Sequence, residues 1–239
     1  MDSTNNYQLP PNPPYIGQFL PPLSQRDASK PPAAGQYYAI DLPQPTACPS
    51  PSAAPAGSCN QIGSSVYHDT IACANAPPTW LKCGDTVTVD PNTGQGQMQV
   101  ATKEGIQCLI HTTANGNPPN SCPPDSDPDC FVSVSGSPVA INGGLSNPNP
   151  AMRVSNISRS DSSVTVPIFD FQQATDDPCP AGTCGTATVM GFLQLGIQSV
   201  SNQGAMQAVV LNAAGCNPTN SGTPVRGGGV SPIPVRLIQ

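Results

Sequence analysis

The loop CPAGTC carries two cysteines, Cys179 and Cys184, between two stretches of alternating apolar residues. Thiols so placed could bind a metal ion, act as a redox pair, or close a disulfide across a hairpin. A redox pair favours a CxxC spacing at the start of a helix, and zinc needs two further close ligands, for which Asp176 and Asp177 are poor substitutes. The two ends of a hairpin loop lie within disulfide reach. The spacing therefore predicts a Cys179–Cys184 disulfide.

Cysteine is abundant in the whole chain, which contains 10 of them. None is spaced as CxxC, and His68 and His111 stand at no ligand-like spacing. We therefore expect disulfides rather than a metal site, and an oxidising, extracytoplasmic location. Beyond Cys179–Cys184 the sequence leaves the pairing open. The other disulfide candidates are Cys48, Cys59, Cys73, Cys83, Cys108, Cys122, Cys130 and Cys216.

Acidic residues alternate in DSDPDC, where Asp125, Asp127 and Asp129 resemble the start of a calcium-binding loop. The EF-hand form of that loop then requires glycine at its sixth position and glutamate at its twelfth. Cys130 and Gly136 occupy those positions here. We therefore expect a solvated acidic loop anchored by its cysteine, with an irregular calcium site as the alternative.

A second acidic pattern, DSSVT, places Asp161, Ser163 and Thr165 at the spacing of the DxSxS metal site of von Willebrand A-type domains. In those domains the motif leads into a helix within alternating β and α units. This one leads into the strand-like run VTVPIFDF, and the chain lacks such alternation. We predict no bound metal at this position.

Catalytic motifs such as GxSxG, HExxH and the P-loop do not occur in the sequence. A Ser–His–Asp triad would need His68 or His111, neither of which has motif support. We expect His68 to be a surface or hydrogen-bonded residue of a half-polar strand. The sequence therefore predicts no enzymatic activity, no catalytic residue and no cofactor, with a secreted hydrolase as an alternative class.

The composition is low in charge and rich in residues that interrupt helices. Charged residues make up 9% of the chain, against about 25% in ordinary soluble domains. The 31 prolines and 22 glycines disfavour long helices. With a net charge of −6 and only 8 basic residues, the chain is unsuited to nucleic acid or to an electrostatic hold on anionic lipid.

Two regions are predicted along the chain. Residues 1–35 contain PPNPP and LPPL clusters and are expected to form a disordered, proline-rich linker. Residues 36–239 are expected to form one β-rich domain, with 36–130 rich in loops and cysteine and 131–239 as the β core. One short helix is predicted within 98–113, weakened by Gly105. The predicted strands are 36–43, 64–73, 86–89, 131–136, 138–142, 151–158, 163–171, 186–200, 205–215 and 232–239.

These elements predict a mainly β fold, an antiparallel sandwich-like or mixed-β domain stapled by disulfides. Long Pro/Gly-rich loops would join the strands, and at most one or two short helices would be present. The sequence contains neither a recognisable export signal nor an apolar run of membrane-spanning length. Because disulfides imply export, we expect Met1 to be an internal start within a longer protein.

Several stretches resemble the TadG-like family of Flp (tight adherence) pilus-assembly proteins. The C-terminal pattern is the most specific part: a Pro-Ile-Phe-Asp strand, a Gly-Phe strand, a strand ending at Cys216, and a terminal PVRLI. The resemblance extends over most of residues 37–239. Its segments are YYAIDLP (37–43), GDTVTVDPNTGQG (84–96), GIQCLI (105–110), VTVPIFDF (164–171), TATVMGFLQLGIQ (186–198), AVVLNAAGC (208–216) and SPIPVRLIQ (231–239).

The resemblance implies a non-enzymatic extracytoplasmic module, in the periplasm or at the cell surface. It also implies an N-terminal helix, absent from this chain, that tethers the full-length protein to the inner membrane. The expected partners are other pilus-assembly or envelope proteins, bound through protein–protein contacts in pilus assembly or adhesion. The alternative is a secreted module that binds a glycan or another surface ligand, for which an exposed aromatic face would be the distinguishing feature.

Overall fold

The computed structural model describes residues 17, 19–20, 22–25, 36–40, 66–73, 81–89, 96–112, 115–116, 122–132, 139–169 and 186–216. Within these ranges strands predominate and two α-helices occur. The strands are β1 (Ser24–Gln25), β2 (Gln36–Tyr37), β3 (Thr86–Thr88), β4 (Cys130–Val132), β5 (Ala140–Asn142), β6 (Asn156–Ile157), β7 (Ser163–Phe169), β8 (Thr186–Val200) and β9 (Met206–Gly215). The helices are α1 (Val66–Ala72) and α2 (Gly96–Leu109), with a 3₁₀ turn at Pro150–Met152.

The central sheet is built around β8, which pairs antiparallel with β3, β7 and β9. Strand β7 opposes residues 189–196 of β8, and β9 opposes residues 191–200. Pro167 lies within β7, where proline is tolerated on an edge strand because its missing N–H need not face a neighbour. The strands predicted within 163–171, 186–200 and 205–215 are therefore present as β7, β8 and β9 in one antiparallel unit, with residues 170–171 outside the described ranges.

One face of this sheet packs on α2. Ile106, Leu109 and Ile110, at helical spacing, contact a set of buried strand residues and close the main hydrophobic core. The strand residues alternate along their strands, as one sheet face requires. They are Val164, Leu195, Ile197, Val200, Ala208 and Val210.

The other face of β8 meets a small three-stranded antiparallel sheet of order β4–β5–β6. Phe131 of β4 is 1% exposed, and its ring lies over Gly196 of β8. The amide of Gln198 points to the same side and donates to the sulfur of Cys130. Residues 195–198 are consequently buried on both faces of the strand.

The sequence prediction of a strand over 64–73 is wrong, because Val66–Ala72 is helix α1. Val66, assigned to the interior by that prediction, is 41% exposed. Ile71 and the backbone of His68 instead pack on α2 at Gly105, where a Cβ atom would lie 2.9 Å from Ile71 Cβ. The glycine expected to weaken α2 is the point at which the two helices approach closely.

The predicted linker over residues 1–35 also differs from the structure where its residues are described. Gly17, Leu20 and Leu23 donate backbone hydrogen bonds to β9, and β1 pairs in parallel with β2. Leu20 and Leu23 also pack against the main core. The proline-rich composition led to the prediction of a linker. Prolines are nevertheless compatible with the outermost strand of a sheet, which is where this segment lies.

Other predicted elements are shorter than expected. The range 36–43 contains β2 and an isolated bridge from Ile40 to Val89, and 151–158 contains the end of the 3₁₀ turn followed by β6. Helix α2 begins earlier than predicted, at Gly96. The predicted strand 232–239 lies outside the described residues. The predicted fold class is confirmed: in the part of the chain that the structure describes, strands predominate, with antiparallel sheets, two helices and disulfide links.

Candidate functional site

A disulfide between Cys83 and Cys216 joins two ends of the central sheet, with their Cα atoms 5.5 Å apart. Cys83 precedes β3 and Cys216 follows β9. The neighbouring backbone holds both ends against β8, since Gly84 N donates to Val189 O and Cys216 N donates to Met190 O. The bond therefore links the cysteine-rich first half of the chain covalently to the last described strand.

A second disulfide, Cys122–Cys130, closes the acidic loop, with Cα atoms 5.7 Å apart. The Gln198 amide lies 3.5 Å from Cys130 Sγ and 3.8 Å from Cys122 Sγ. Cys73 and Cys108 are disulfide-bonded as well, so each cysteine in the described ranges is oxidised. The remaining candidates, Cys48, Cys59, Cys179 and Cys184, lie outside those ranges, and the Cys179–Cys184 bond stays a prediction.

The three aspartates of the acidic loop are separated by their environments. Asp125 and Asp127 are exposed, whereas Asp129 is 2% exposed. The Asp129 carboxylate accepts hydrogen bonds from Gly144 N at 2.8 Å, Asn147 Nδ2 at 2.9 and 3.1 Å, and Ser160 Oγ at 2.6 Å. Its oxygens therefore connect three chain segments through protein donors rather than facing the other two aspartates.

Asp161 of the DSSVT pattern contacts a histidine 50 positions away in the sequence. His111 Nε2 lies 3.2 Å from Asp161 Oδ2, and the imidazole is buried. Ser162 is fully buried, and its Oγ makes no hydrogen bond within the described ranges. A serine nucleophile must reach its substrate, so these three residue types do not form a working triad here.

His111 also terminates α2. It has a positive φ of 57°, and the N–H groups of His111 and Thr112 donate to Cys108 O and Gln107 O. These two bonds form the Schellman pattern, in which the positive-φ position is usually glycine. The contact with Asp161 thus joins the end of α2 to the start of β7.

His68 lies in a different place from the one expected. It is 3% exposed in α1, and its Nδ1 is 3.0 Å from Oδ1 of Asp69, which is 1% exposed. The expected strand position was wrong because the segment is helical, whereas the expected hydrogen-bonded state is confirmed by the contact with Asp69. Tyr67 Oη meets Thr102 Oγ1 at 2.8 Å and adds a polar contact between the helices.

Tyr37 connects β2 to the turn between β8 and β9. Its hydroxyl donates to Gly204 O at 2.9 Å. Burial raises the pKa of this phenol to about 12, and a hydrogen bond with Thr102 acts in the opposite direction. The neutral phenol is therefore the form that suits this environment.

The edge of β9 and the segment that covers it form a candidate contact surface. We call the described residues within 17–25, which are 17, 19–20 and 22–25, the covering segment. Backbone hydrogen bonds join Gly17 N to Val210 O, Leu20 N to Ala208 O, and Leu23 to Met206 in both directions, at 2.7–2.9 Å. Neither residues 17–25 nor residues 206–215 include a charged side chain. The contact is therefore uncharged and carried by backbone hydrogen bonds.

Two kinds of feature are absent from the described ranges. No group of three or more His, Cys, Asp or Glu side chains is arranged there to hold a metal ion. In the same ranges no helix combines the length and the apolar character needed to cross a membrane. Comparisons with protein-family models, curated proteins and solved structures found no match to this chain.

Sequence reasoning missed the His111–Asp161 pair, the buried Asp129 and the covering segment. No local spacing indicates the first two, because their partners lie far away in the sequence. The covering segment had one usable feature, namely the apolar residues Phe19, Leu20 and Leu23 within a proline-rich stretch.

Proposed function

We propose that this chain is a non-enzymatic extracytoplasmic module of a tight-adherence (Flp/Tad) pilus-assembly or adhesion system. It acts through contacts with other pilus-assembly or envelope proteins, in the periplasm or at the cell surface. A membrane helix N-terminal to this module would tether the full-length protein to the inner membrane. The proposal rests on the TadG-like sequence resemblance and on how the resembling segments are arranged.

The main supporting observation is that these segments are neighbours in space. VTVPIFDF and TATVMGFLQLGIQ contain paired strands β7 and β8, and AVVLNAAGC contains most of β9 and Cys216. GDTVTVDP contains β3, which pairs with β8, and GIQCLI supplies core residues of α2.

The proposed activity requires stability outside the cell rather than reactive groups. Disulfides persist in oxidising compartments, and the Cys83–Cys216 bond spans 133 positions of the chain. Strand edges provide backbone donors and acceptors to partner proteins, with affinity from main-chain hydrogen bonds and specificity from alternate side chains. The low charge of this chain leaves such contacts largely free of electrostatic repulsion.

Glycan binding is the alternative, and it calls for exposed aromatic side chains. The aromatic residues whose side chains are described are buried or partly buried: Phe19, Tyr37, Tyr38, Tyr67, Phe131 and Phe192. In these ranges the surface therefore favours protein contacts over sugar stacking.

The proposal is tested in the bacterium that carries the gene. We expect in-frame deletion to reduce the pilin sheared from the cell surface and the attachment of cells to a surface, and the intact gene to restore both. Thiol labelling of intact cells should find Cys83 and Cys216 oxidised. Unchanged pilin and attachment after deletion, or reduced thiols in a cytosolic protein, would contradict the proposal.

A further inference from the structure

The edge of β9 lacks the charged residues and prolines that usually protect a sheet edge from other chains, although its pairing with β8 has a register irregularity at Leu211. Natural edge strands carry charged residues, proline or bulges that discourage pairing with a second molecule. Strand β9 contains neither a charged residue nor a proline over its ten positions. Its backbone is instead covered by residues 17–25 of the same chain. The covering segment therefore provides the protection that the strand itself lacks.

The covering segment makes less backbone pairing with β9 than β9 makes with β8. Four backbone hydrogen bonds join it to β9, whereas β9 pairs with β8 at nine positions along its other side. Its apolar contribution comes from Leu20 and Leu23, which are partly buried against the main core. Pro22 and Ser24 of the same segment are exposed.

The acceptor surface consists of two elements that stay with the rest of the chain. β9 receives residues 17–23, and β2 receives β1 through the parallel pairs Ser24–Gln36 and Gln25–Tyr37. Ten residues, 26–35, connect β1 to β2. A chain of that length can extend to about 35 Å, which is enough to reach a neighbouring molecule.

We propose that the covering segment exchanges between copies, so that residues 17–25 of one molecule pair with β9 and β2 of another. Each copy carries both the segment and the acceptor surface, so the contacts made within one chain can be reproduced between two. Neither surface bears a charge that would oppose this pairing. Reciprocal exchange gives a closed dimer, and sequential exchange gives a linear assembly.

The exchange rests on the proposed function in one respect, because it specifies one of the protein contacts that the function requires. Its test uses purified protein and does not depend on a pilus. If the gene deletion leaves pilin unchanged while exchange occurs in solution, the pilus role fails and the exchange stands. If the gene deletion reduces pilin but the purified protein shows no exchange, the exchange is rejected and the pilus role stands.

The experiment mixes two full-length preparations that carry different affinity tags. After incubation at a temperature below unfolding, we expect sequential purification on both tags to recover mixed oligomers, with masses measured by light scattering. The double variant Leu20→Asp/Leu23→Asp cannot donate its segment and should form no oligomer alone, yet it should accept a segment from the wild type. The matched control Pro22→Asp/Ser24→Asp adds the same charge at exposed positions and should behave as the wild type.

A peptide assay covers the case in which the double Asp variant does not fold. A labelled peptide of residues 16–25 should bind the wild-type full chain, and the same peptide with both leucines replaced by aspartate should bind at least about tenfold more weakly. Failure of the wild-type peptide to bind, together with only singly tagged monomers at every concentration, would overturn the proposal. Oligomers formed equally well by the double Asp variant alone would overturn it too, because the contact would then lie elsewhere.

Discussion

Asp129 is a single residue on which three chain segments converge. Its buried carboxylate accepts from the backbone of Gly144 and from the side chains of Asn147 and Ser160. Asn147 in turn accepts from Arg153 Nε through its backbone oxygen at 2.8 Å. A charged acceptor that serves several donors is worth more than a neutral one, so this network should contribute strongly to the order of residues 122–162.

The substitution Asp129→Asn should therefore lower the free energy of unfolding by about 2–3 kcal/mol, because an amide replaces one acceptor oxygen with a donor that faces other donors. Urea denaturation of the oxidised protein measures this change. The matched control is Asp127→Asn in the same loop, where the side chain is exposed and the effect should stay within about 0.5 kcal/mol. Equal losses for the two variants would contradict the assigned role of Asp129.

Tyr37 should make stability depend on pH in the alkaline range. Its pKa is raised from 10.0 to about 12 by burial. The folded protein therefore keeps the phenol proton between about pH 10 and 12, while the unfolded chain loses it. The contribution is complete below pH 10 and is lost as the pH rises towards 12. Absorbance titration of tyrosinate should show one late-ionising group, and Tyr37→Phe should remove it; a titration unchanged by that substitution would contradict the assignment.

Two elements each depend on one unusual residue. One is a glycine at a close approach between strands, and the other is a histidine with a positive φ at a helix end. β8 approaches β4 at Gly196, and α2 ends at His111 in a left-handed conformation. In the first case the absence of Cβ lets a buried aromatic ring rest on the strand. In the second, an L-residue occupies a position that glycine usually holds. Each can be tested with a paired substitution.

Gly196→Ala should destabilise the protein by about 1–3 kcal/mol, because the added Cβ would lie 2.5 Å from ring atoms of the fully buried Phe131. Gly215→Ala, on the adjacent strand, has open space around its Cβ and should be neutral or slightly stabilising. Thermal unfolding of both variants gives the comparison. A cost at Gly215 as large as that at Gly196 would show that strand flexibility, and not the ring contact, is responsible.

His111→Ala should cost about 1–2 kcal/mol, because it removes the contact with Asp161 and keeps a side chain at positive φ. His111→Gly removes the same contact but relieves the conformational strain, so it should be more stable than His111→Ala by up to about 1 kcal/mol. Chemical denaturation of the two variants decides the order. The reverse order would mean that the left-handed conformation costs little here.

At the scale of the whole molecule, the disulfides determine which distant segments stay together. Cys83–Cys216 closes a sequence separation of 133 and holds β3 and β9 to the same part of β8. Cys122–Cys130 closes a separation of only 8 and holds a local loop. In the chain-entropy description, the stabilisation grows with the length of the closed loop.

Replacing both cysteines of the Cys83–Cys216 pair by alanine should therefore cost more than replacing both of the Cys122–Cys130 pair. The loop-entropy relation gives up to about 5 kcal/mol for the first and about 2.5 kcal/mol for the second. Other disulfides in the chain shorten the effective loop of the first pair and make its figure an upper bound. Denaturant unfolding without reductant measures both, and a larger loss from the Cys122–Cys130 pair would contradict the entropic account.

Features that depend on neighbouring residues could be predicted before the structure was known. Alternating apolar residues specify β7, β8 and β9, because side chains along a strand point to opposite faces. The low charge and the even number of cysteines indicated a disulfide-stapled, mainly β fold, and a helix was expected around Ile106. These properties follow from local periodicity and composition, which the order of residues records directly.

Only the tertiary structure decided the features that join distant positions. Residues 66–72 are helical because α2 offers Gly105 as a packing site, although Val66 and Ile71 also fitted a strand. The described residues of the covering segment pair with β9 because that strand offers an open edge, and His111 meets Asp161 because α2 packs on the central sheet. Burial and pairing depend on which surfaces meet after folding, and local propensity is a weak guide where tertiary contacts compete with it.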